Sequence, residues 1–414
     1  MVKPIFVRPS PLGGSQRAVN GKLGGLHTSL RHILLFARAM GLLPLCGLKN
    51  PLSFDLRFTL RSPYTLYYLV SVFGLVLLFI LNVFWIAENG ISFTNITDAL
   101  FHSSSLVSLV ILGNLGRSWP KLIMKVEEIE CKLPPFTRDL AFLCNVTMAS
   151  IMVAALVEHF LSVFYGLIVA RTCDVNNVIK AYFLHSMPWI FDYTSYDLWK
   201  GIMGEVFNIQ STFLWTYSDL LIMVISIYLT EHFTVHNQLL QNAWKEQRLH
   251  CCQFRKQHLN LVRLVKLIND HIGIYILTSF GTNLYWICTQ LFYSLNKTGT
   301  GHYVSCQSKH RDQNLQGIEH TIYFTYSFSF LVVRTLLVLM LASRVHTSSN
   351  VALIMLYEVP ADKTNLEIDR YIDQITRIRV ALSGLDFFYV TRTMILTLVG
   401  TIVTYELVLL QFNK

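Results

Sequence analysis

Charge is what this sequence has least of. Only 14% of its 414 residues are Asp, Glu, Lys or Arg, against 53% that are apolar. A soluble domain carries about a quarter charged residues, so the deficit excludes an ordinary water-soluble fold and points to a polytopic membrane protein. The eight cysteines include no Cys-x-x-Cys pair, Cys251 and Cys252 being merely adjacent, so no metal or dithiol centre is spelled out. Thr230-Glu-His-Phe lacks a second ligand at helical spacing. The chain therefore presents no catalytic constellation and calls for no metal or cofactor. Nor is there the layout of a signal peptide, because the first apolar stretch, His32–Leu45, is short and interrupted by Arg38. No internal repeat is evident, which disfavours a carrier of the inverted-repeat kind. The net charge of +9 does not imply nucleic acid, since the basic residues cluster in loops that flank apolar runs.

What is there is a series of apolar runs, each near the roughly 20 residues that cross a hydrocarbon core. Seven spans are expected, at Leu66–Ile86, Asp98–Leu115, Leu140–Val169, Glu205–Leu229, Leu264–Leu295, Ile318–Leu341 and Thr393–Phe412. Several exceed one crossing and should tilt or project. With the N-terminus inside, the cytoplasmic segments hold 25 Lys and Arg and the outer loops 6, a strong bias by the positive-inside rule. Seven spans then put the C-terminus outside, opposite to a G-protein-coupled receptor. Neither Asp-Arg-Tyr after span three nor Asn-Pro-x-x-Tyr in span seven is present. The expected organisation is a cytoplasmic segment with a short amphipathic helix (1–63), spans one to six (64–345), a cytoplasmic loop with a helix-like stretch over Asn365–Phe388 (346–390), and the last span (391–414).

Sequons at Asn95 and Asn296 fall in outer loops and are candidate glycosylation sites, whereas that at Asn145 lies at the cytoplasmic start of span three. Cys173 and Cys306 also fall outside. A disulfide between them and two unrelated thiols both stay open.

Span seven carries an uncharged polar stripe. At about 100° per residue, Thr393, Thr397, Thr401, Thr404, Val408 and Gln411 share an arc of about 80°. For any single Thr the plainer reading is interhelical hydrogen bonding. Six aligned positions ending in Gln favour a water-lined wall. One helix encloses no pore, so several copies around an axis are required. Val408, Gln411 and Phe412 are the gate candidates, because narrow apolar constrictions close by dewetting. Glu406 points away from the stripe, where pairing with a neighbouring helix or the interface is the plainer role.

Thr404-Tyr405, five intervening residues and Gln411-Phe412 resemble the Thr-Tyr-x5-Gln-Phe signature of the insect gustatory receptors. Glu406 directly after Tyr405 is similar to the sugar-receptor branch. So are Arg57–Leu69 (RFTLRSPYTLYYL), Glu158–Ser162 (EHFLS), Asn208–Met223, Ile268–Phe292 and Val390–Phe412. The resemblance implies an all-α membrane protein of seven helices. It implies a tetrameric ligand-gated cation channel with the last helix lining the pore and cytoplasmic extensions of spans four to six forming an anchor. It further implies a sugar ligand, no required G protein, a homotetramer or a hetero-oligomer with related receptors, and the plasma membrane of chemosensory neurons. The same fold tuned to a non-sugar tastant, or a seven-span sugar transporter, are the rivals.

Sugars bind through hydrogen bonds at the ring edge and aromatic stacking on C–H faces, so a pocket should combine aromatics with carboxylates, amides and His. The outer halves of the spans offer His102; Glu158, His159, Ser162 and Tyr165; Asn208, Ser211 and Trp215; Asn283, Trp286 and Gln290; and Tyr323 and Tyr326. The loop before span four adds Trp189 and Asp192. Asn283, Trp286 and Gln290 share one helical face. Trp and Tyr near span ends are more often interfacial anchors, so Glu158 and the Asn283 face are the stronger candidates. Asp219, deeper in span four, reads as structural.

Overall fold

Long apolar runs become long helices, and the way each ends is written in its flanking residues. A computed structural model describes residues 25–49, 55–91, 93–174, 176–246, 250–295, 318–360 and 365–412. Its helices are α1 (Leu26–Ala39), α2 (Pro63–Asn89), α3 (Phe93–Glu130), α4 (Leu140–Cys173), α5 (Val178–Ser186), α6 (Pro188–Phe191), α7 (Leu198–Lys245), α8 (Cys251–Leu295), α9 (Ile318–Ser349), α10 (Val351–Tyr357), α11 (Leu366–Arg377) and α12 (Thr393–Phe412). Ser62 caps α2 by accepting from the Tyr64 N–H, with Pro63 in the first turn where a missing N–H is harmless. Asp139 caps α4 in the same way.

The centre of the bundle is α7. At 48 residues it runs about 72 Å at 1.5 Å per residue, more than twice the roughly 30 Å hydrocarbon thickness. From Phe213 to Leu229 every residue but Trp215 is buried, as befits a mostly apolar helix enclosed on every side. It packs against α9, α4, α8 and α3. Amphipathic α1 lays Leu26, Leu30, Ile33, Leu34 and Ala37 into the same core, and the Leu26 N–H donates to the Glu130 carboxylate. The outer helices instead expose apolar faces: Leu66, Leu69, Val70, Phe73 and Leu77 on α2, and Phe142, Val153, Leu156 and Phe160 on α4. Walls of that size mark contact with another apolar phase. Among the described residues five helices (α2, α3, α4, α7 and the α9–α10 stretch) are long and apolar enough to cross a membrane. The helices α8 and α12, expected as spans five and seven, form with the expected C-terminal bounds; α8 does not reach that measure, and α12 is apolar over Thr393–Tyr405, as far as its side chains are continuously described.

Beyond the bundle, α11 docks on the far ends of α7 and α8. Tyr371 and Ile368 are buried there beside Leu240 and Cys251. The Tyr371 hydroxyl lies 2.8 Å from His236 Nε2, and Arg255 Nε donates to Glu367 Oε2 at 3.0 Å. The helix expected over Asn365–Phe388 stops at Arg377. Asn269 on α8 takes over the backbone that follows. Its Oδ1 accepts from the Ser383 N–H at 2.8 Å and its Nδ2 donates to Ser383 Oγ at 2.8 Å. The chain then turns back through Leu385 and Asp386, both at positive φ, pairing Ser383 with Tyr389. A helix could not satisfy those cross-links. This turn leads directly into α12, which packs on α8 and α9 through Met394, Ile395, Leu398 and Ile402.

Candidate functional site

At the end of the bundle that carries α5 and α6, the helices splay around a cavity of about 150 Å³. Its polar lining comes from Asp98 and His102 on α3, Ser162 on α4, Tyr182 and Ser186 on α5 and Asn208 on α7. Phe101, Trp189, Leu78 and Met187 supply apolar surface. Pro188 opens the short helix α6, and Gly204 lets α7 approach it, since a Cβ there would lie 2.6 Å from Met187 Sδ. Trp189 is thereby buried and meets the His102 ring edge-on at 5.8 Å. Neither His102 Nδ1 nor Trp189 Nε1 has a hydrogen-bond partner among the described residues. Buried polar atoms are nearly always partnered. Both residues line the cavity, so its wall includes two side chains with a polar atom left without a protein partner among the described residues.

Beside the cavity runs a second cluster between α4, α8 and α9. Ser327 Oγ donates to Glu158 Oε1 at 2.6 Å and accepts from Gln290 Nε2 at 3.4 Å. Tyr165 stacks on Tyr323 at 5.8 Å. His159 Nε2 lies 3.3 Å from Glu205 Oε1, and Tyr182 donates to the other Glu205 oxygen at 3.3 Å.

Deeper in the bundle is a third cluster. Trp215 Nε1 donates to Asn283 Oδ1 at 2.9 Å, and Trp286 lies 5.7 Å from the Trp215 ring. Arg334 stands over Trp215 at 4.3 Å, a cation–π distance, and pairs with Asp219 at 2.8 Å. Asp219 also accepts from Ser279 and, at 3.0 Å through each oxygen, from Asn283 Nδ2.

Of the residues singled out in the sequence, His102, Ser162, Trp189 and Asn208 thus share one cavity. Glu158 and Gln290 meet through Ser327, and Trp215, Asn283 and Trp286 form the deeper group. Others are placed differently. Asp192 accepts from Trp85 Nε1 at 2.7 Å, and Tyr326 donates to the Ala154 carbonyl at 3.0 Å. Ser211 is fully buried. Asn95, expected on an outer loop as a glycosylation acceptor, is buried at the start of α3 with its amide donating to the Gly90 carbonyl at 3.0 Å. Attachment of a glycan needs that nitrogen in solvent, so this placement opposes it. Asn296 and Cys306, and the side chains of Cys173, Glu406 and Phe412, lie outside the described residues. Thr397, Thr401, Thr404, Val408 and Gln411 are all exposed, and the three Thr hydroxyls donate to the carbonyls four residues back.

Arg334, Ser327, Phe101 and Tyr182 were not read from the sequence as site residues. Only Arg334 carried a clear signal, as a lone cation inside the apolar run of Ile318–Leu341, where an ionisable group marks function or a partner.

The trehalose receptor family model matches residues 15–414. The chain is 32% identical to the gustatory receptor for sugar taste 64f of Drosophila melanogaster, covering 94% of this chain and 81% of that one. It is 28% identical to the gustatory receptor 5a for trehalose of the same organism, covering 94% and 86%. In structure it is similar to the insect olfactory receptor OR5 from Machilis hrabei in complex with eugenol. The TM-score is 0.63 at 18% identity, over 93% of this chain and 98% of that one.

Proposed function

The chain belongs to the trehalose receptor family, in the sugar branch of the insect gustatory receptors, and on that footing we propose that it is a sugar-gated, non-selective cation channel of the plasma membrane of chemosensory neurons. The cavity under α5 and α6 holds the ligand. One observation carries this reading: His102 and Trp189, whose Nδ1 and Nε1 have no hydrogen-bond partner among the described residues, line a space shared with Asn208, Ser162 and the aromatic rings of Phe101 and Tyr182. Ring-edge hydroxyls need such polar atoms, and C–H faces need such rings. Two relatives are named for sugar taste and for trehalose.

Seven helices cross the membrane with the N-terminus inside, and four copies assemble around a central pore walled by α12. Support comes from the lone chain, which spends Leu398 and Ile402 on its own bundle and leaves Thr397, Thr401 and Thr404 exposed. Glu158, Gln290 and Ser327 tie α4, α8 and α9 together next to the cavity, and α8 and α9 are the helices on which α12 rests. Sugar opens the pore only in so far as it binds the open arrangement better than the closed one.

The test is to express this chain alone and record membrane current while sugars and non-sugar tastants are perfused. Rapid sugar-evoked current without added nucleotide or G protein is expected. Sugar uptake without conductance would point to a carrier, and current evoked only by non-sugar compounds to another ligand class.

A further inference from the structure

Phe101 stands between two spaces. It lines the 150 Å³ cavity on one side, and on the other a crevice of only about 10 Å³ bounded by Ser104, Ser105, Ser108, Thr282, Trp215 and Trp286. Its ring meets Trp286 edge-on at 6.1 Å and His102 at 5.3 Å, so it is wedged between the cavity wall and the deeper indoles. Helical spacing explains the alignment. Asp98, Phe101, His102 and Ser105, then Ser104 and Ser108, follow one another along one side of α3 at steps of three and four. That side is polar above and below the one aromatic ring.

The crevice has the wrong chemistry for plain packing. Three serines and a threonine face two indoles, the mixture of hydroxyls and ring faces that suits a polyol, yet it is too small for one. The cavity above it has the bulk of one sugar ring and falls short of the roughly 300–1,000 Å³ of usual ligand pockets. A disaccharide, with about twice the bulk of one sugar ring, would need both spaces and the volume that the Phe101 ring fills.

We propose that Phe101 is a size filter: it closes the inner end of the sugar cavity, so that this chain takes a monosaccharide, and its removal joins cavity and crevice into a site for a disaccharide. The proposal rests on the sugar reading above, adds to it the class of sugar and the residue that sets it, and sets this chain apart from the relative named for trehalose, a disaccharide. Specificity here is a steric exclusion of the larger ligand rather than a new attraction to the smaller.

The experiment compares wild type, Phe101→Ala, Phe101→Leu and Phe101→Trp, each checked for surface expression. Dose–response currents are recorded for D-glucose, D-fructose, sucrose and trehalose, together with sugar titrations of tryptophan fluorescence on the purified full chain. Wild type should require about tenfold more disaccharide than monosaccharide, a ratio of the order expected when a pocket excludes added bulk. Phe101→Ala should erase that ratio, and Phe101→Leu should reduce it in part. Phe101→Trp should raise the monosaccharide requirement. The Leu variant keeps most of the packing, so it reads the same change should the Ala variant fail to reach the surface. Sugar responses with one unchanged disaccharide-to-monosaccharide ratio in all variants overturn the filter alone. A wild-type chain that neither conducts with nor binds any of the four sugars overturns the sugar reading and the filter together.

Discussion

Arg334 and Asp219 form an ion pair 2.8 Å apart in the middle of the bundle, with both side chains all but sealed from solvent. Neither charge stands alone. Arg334 also donates to Thr216 Oγ1 at 2.8 Å, and Asp219 gathers Ser279 and Asn283. The pair therefore joins α7, α8 and α9 and fixes Trp215 through Asn283 on one edge and the guanidinium on one face.

Removing one member leaves its partner buried and uncompensated, at about 3–5 kcal/mol. Asp219→Asn and Arg334→Met are each expected to lower the thermal unfolding temperature of the detergent-solubilised protein sharply. The double change, Asp219→Asn with Arg334→Met, should lose less than the two singles together. Additive losses would show that the charges do not act as a pair.

Trp189→Phe keeps an aromatic ring on the cavity wall and deletes the partnerless N–H. If that N–H meets a sugar hydroxyl, the half-maximal sugar concentration should rise about 2- to 10-fold, the scale of one hydrogen bond, with maximal current unchanged. Gln290→Ala and Glu158→Gln disturb the Ser327 junction beside the cavity and should raise the same concentration. An unchanged dose–response for all three would remove the cavity from the ligand site.

The α11 dock carries a pH signature. Hydrogen bonds from Arg370 and Arg255 hold the Glu367 carboxyl below the usual glutamate value of 4.5. Since the folded value is depressed, its stabilisation is present above that ordinary value and is lost as pH falls through the lowered one. Glu367→Gln should unfold at a lower temperature than wild type near neutrality, with the gap closing in acid. Thermal scans across pH 3–7 check this, and a gap constant with pH would assign the effect to lost packing instead.

The helices were legible because their signals are local. Thr393–Phe412 could be bounded to the residue by the apolar run after Arg392, and α7 and α8 were long in sequence before they were long in space. The end of α11 was not legible, because Arg377 stops where Asn269, more than a hundred residues earlier, claims the Ser383 backbone. The site divided along the same line. Asn283, Trp286 and Gln290 share a face by spacing alone, and the structure uses two of them around Trp215 and the third at Ser327. The wedge of Phe101, the Asp192–Trp85 bond and the pairing of Asp219 with Arg334 depend on how neighbouring helices are rotated about their axes. Periodicity along one helix carries no such information. Asn95 shows the limit from the other side, a sequon whose amide is already bound to the Gly90 carbonyl.

Cysteine accessibility on α12 tests the pore most directly. In a background with Cys173 and Cys306, expected in outer loops, changed to Ser together with exposed Cys131 and Cys252, Thr401→Cys and Thr397→Cys place thiols on the polar stripe. Val403→Cys, also exposed, places one on another face. A charged, membrane-impermeant thiol reagent applied during sugar should irreversibly reduce current in both Thr variants and spare the Val403 variant. Block at Val403 with none at Thr401 or Thr397, or no block at any of the three, would contradict a pore walled by these threonines.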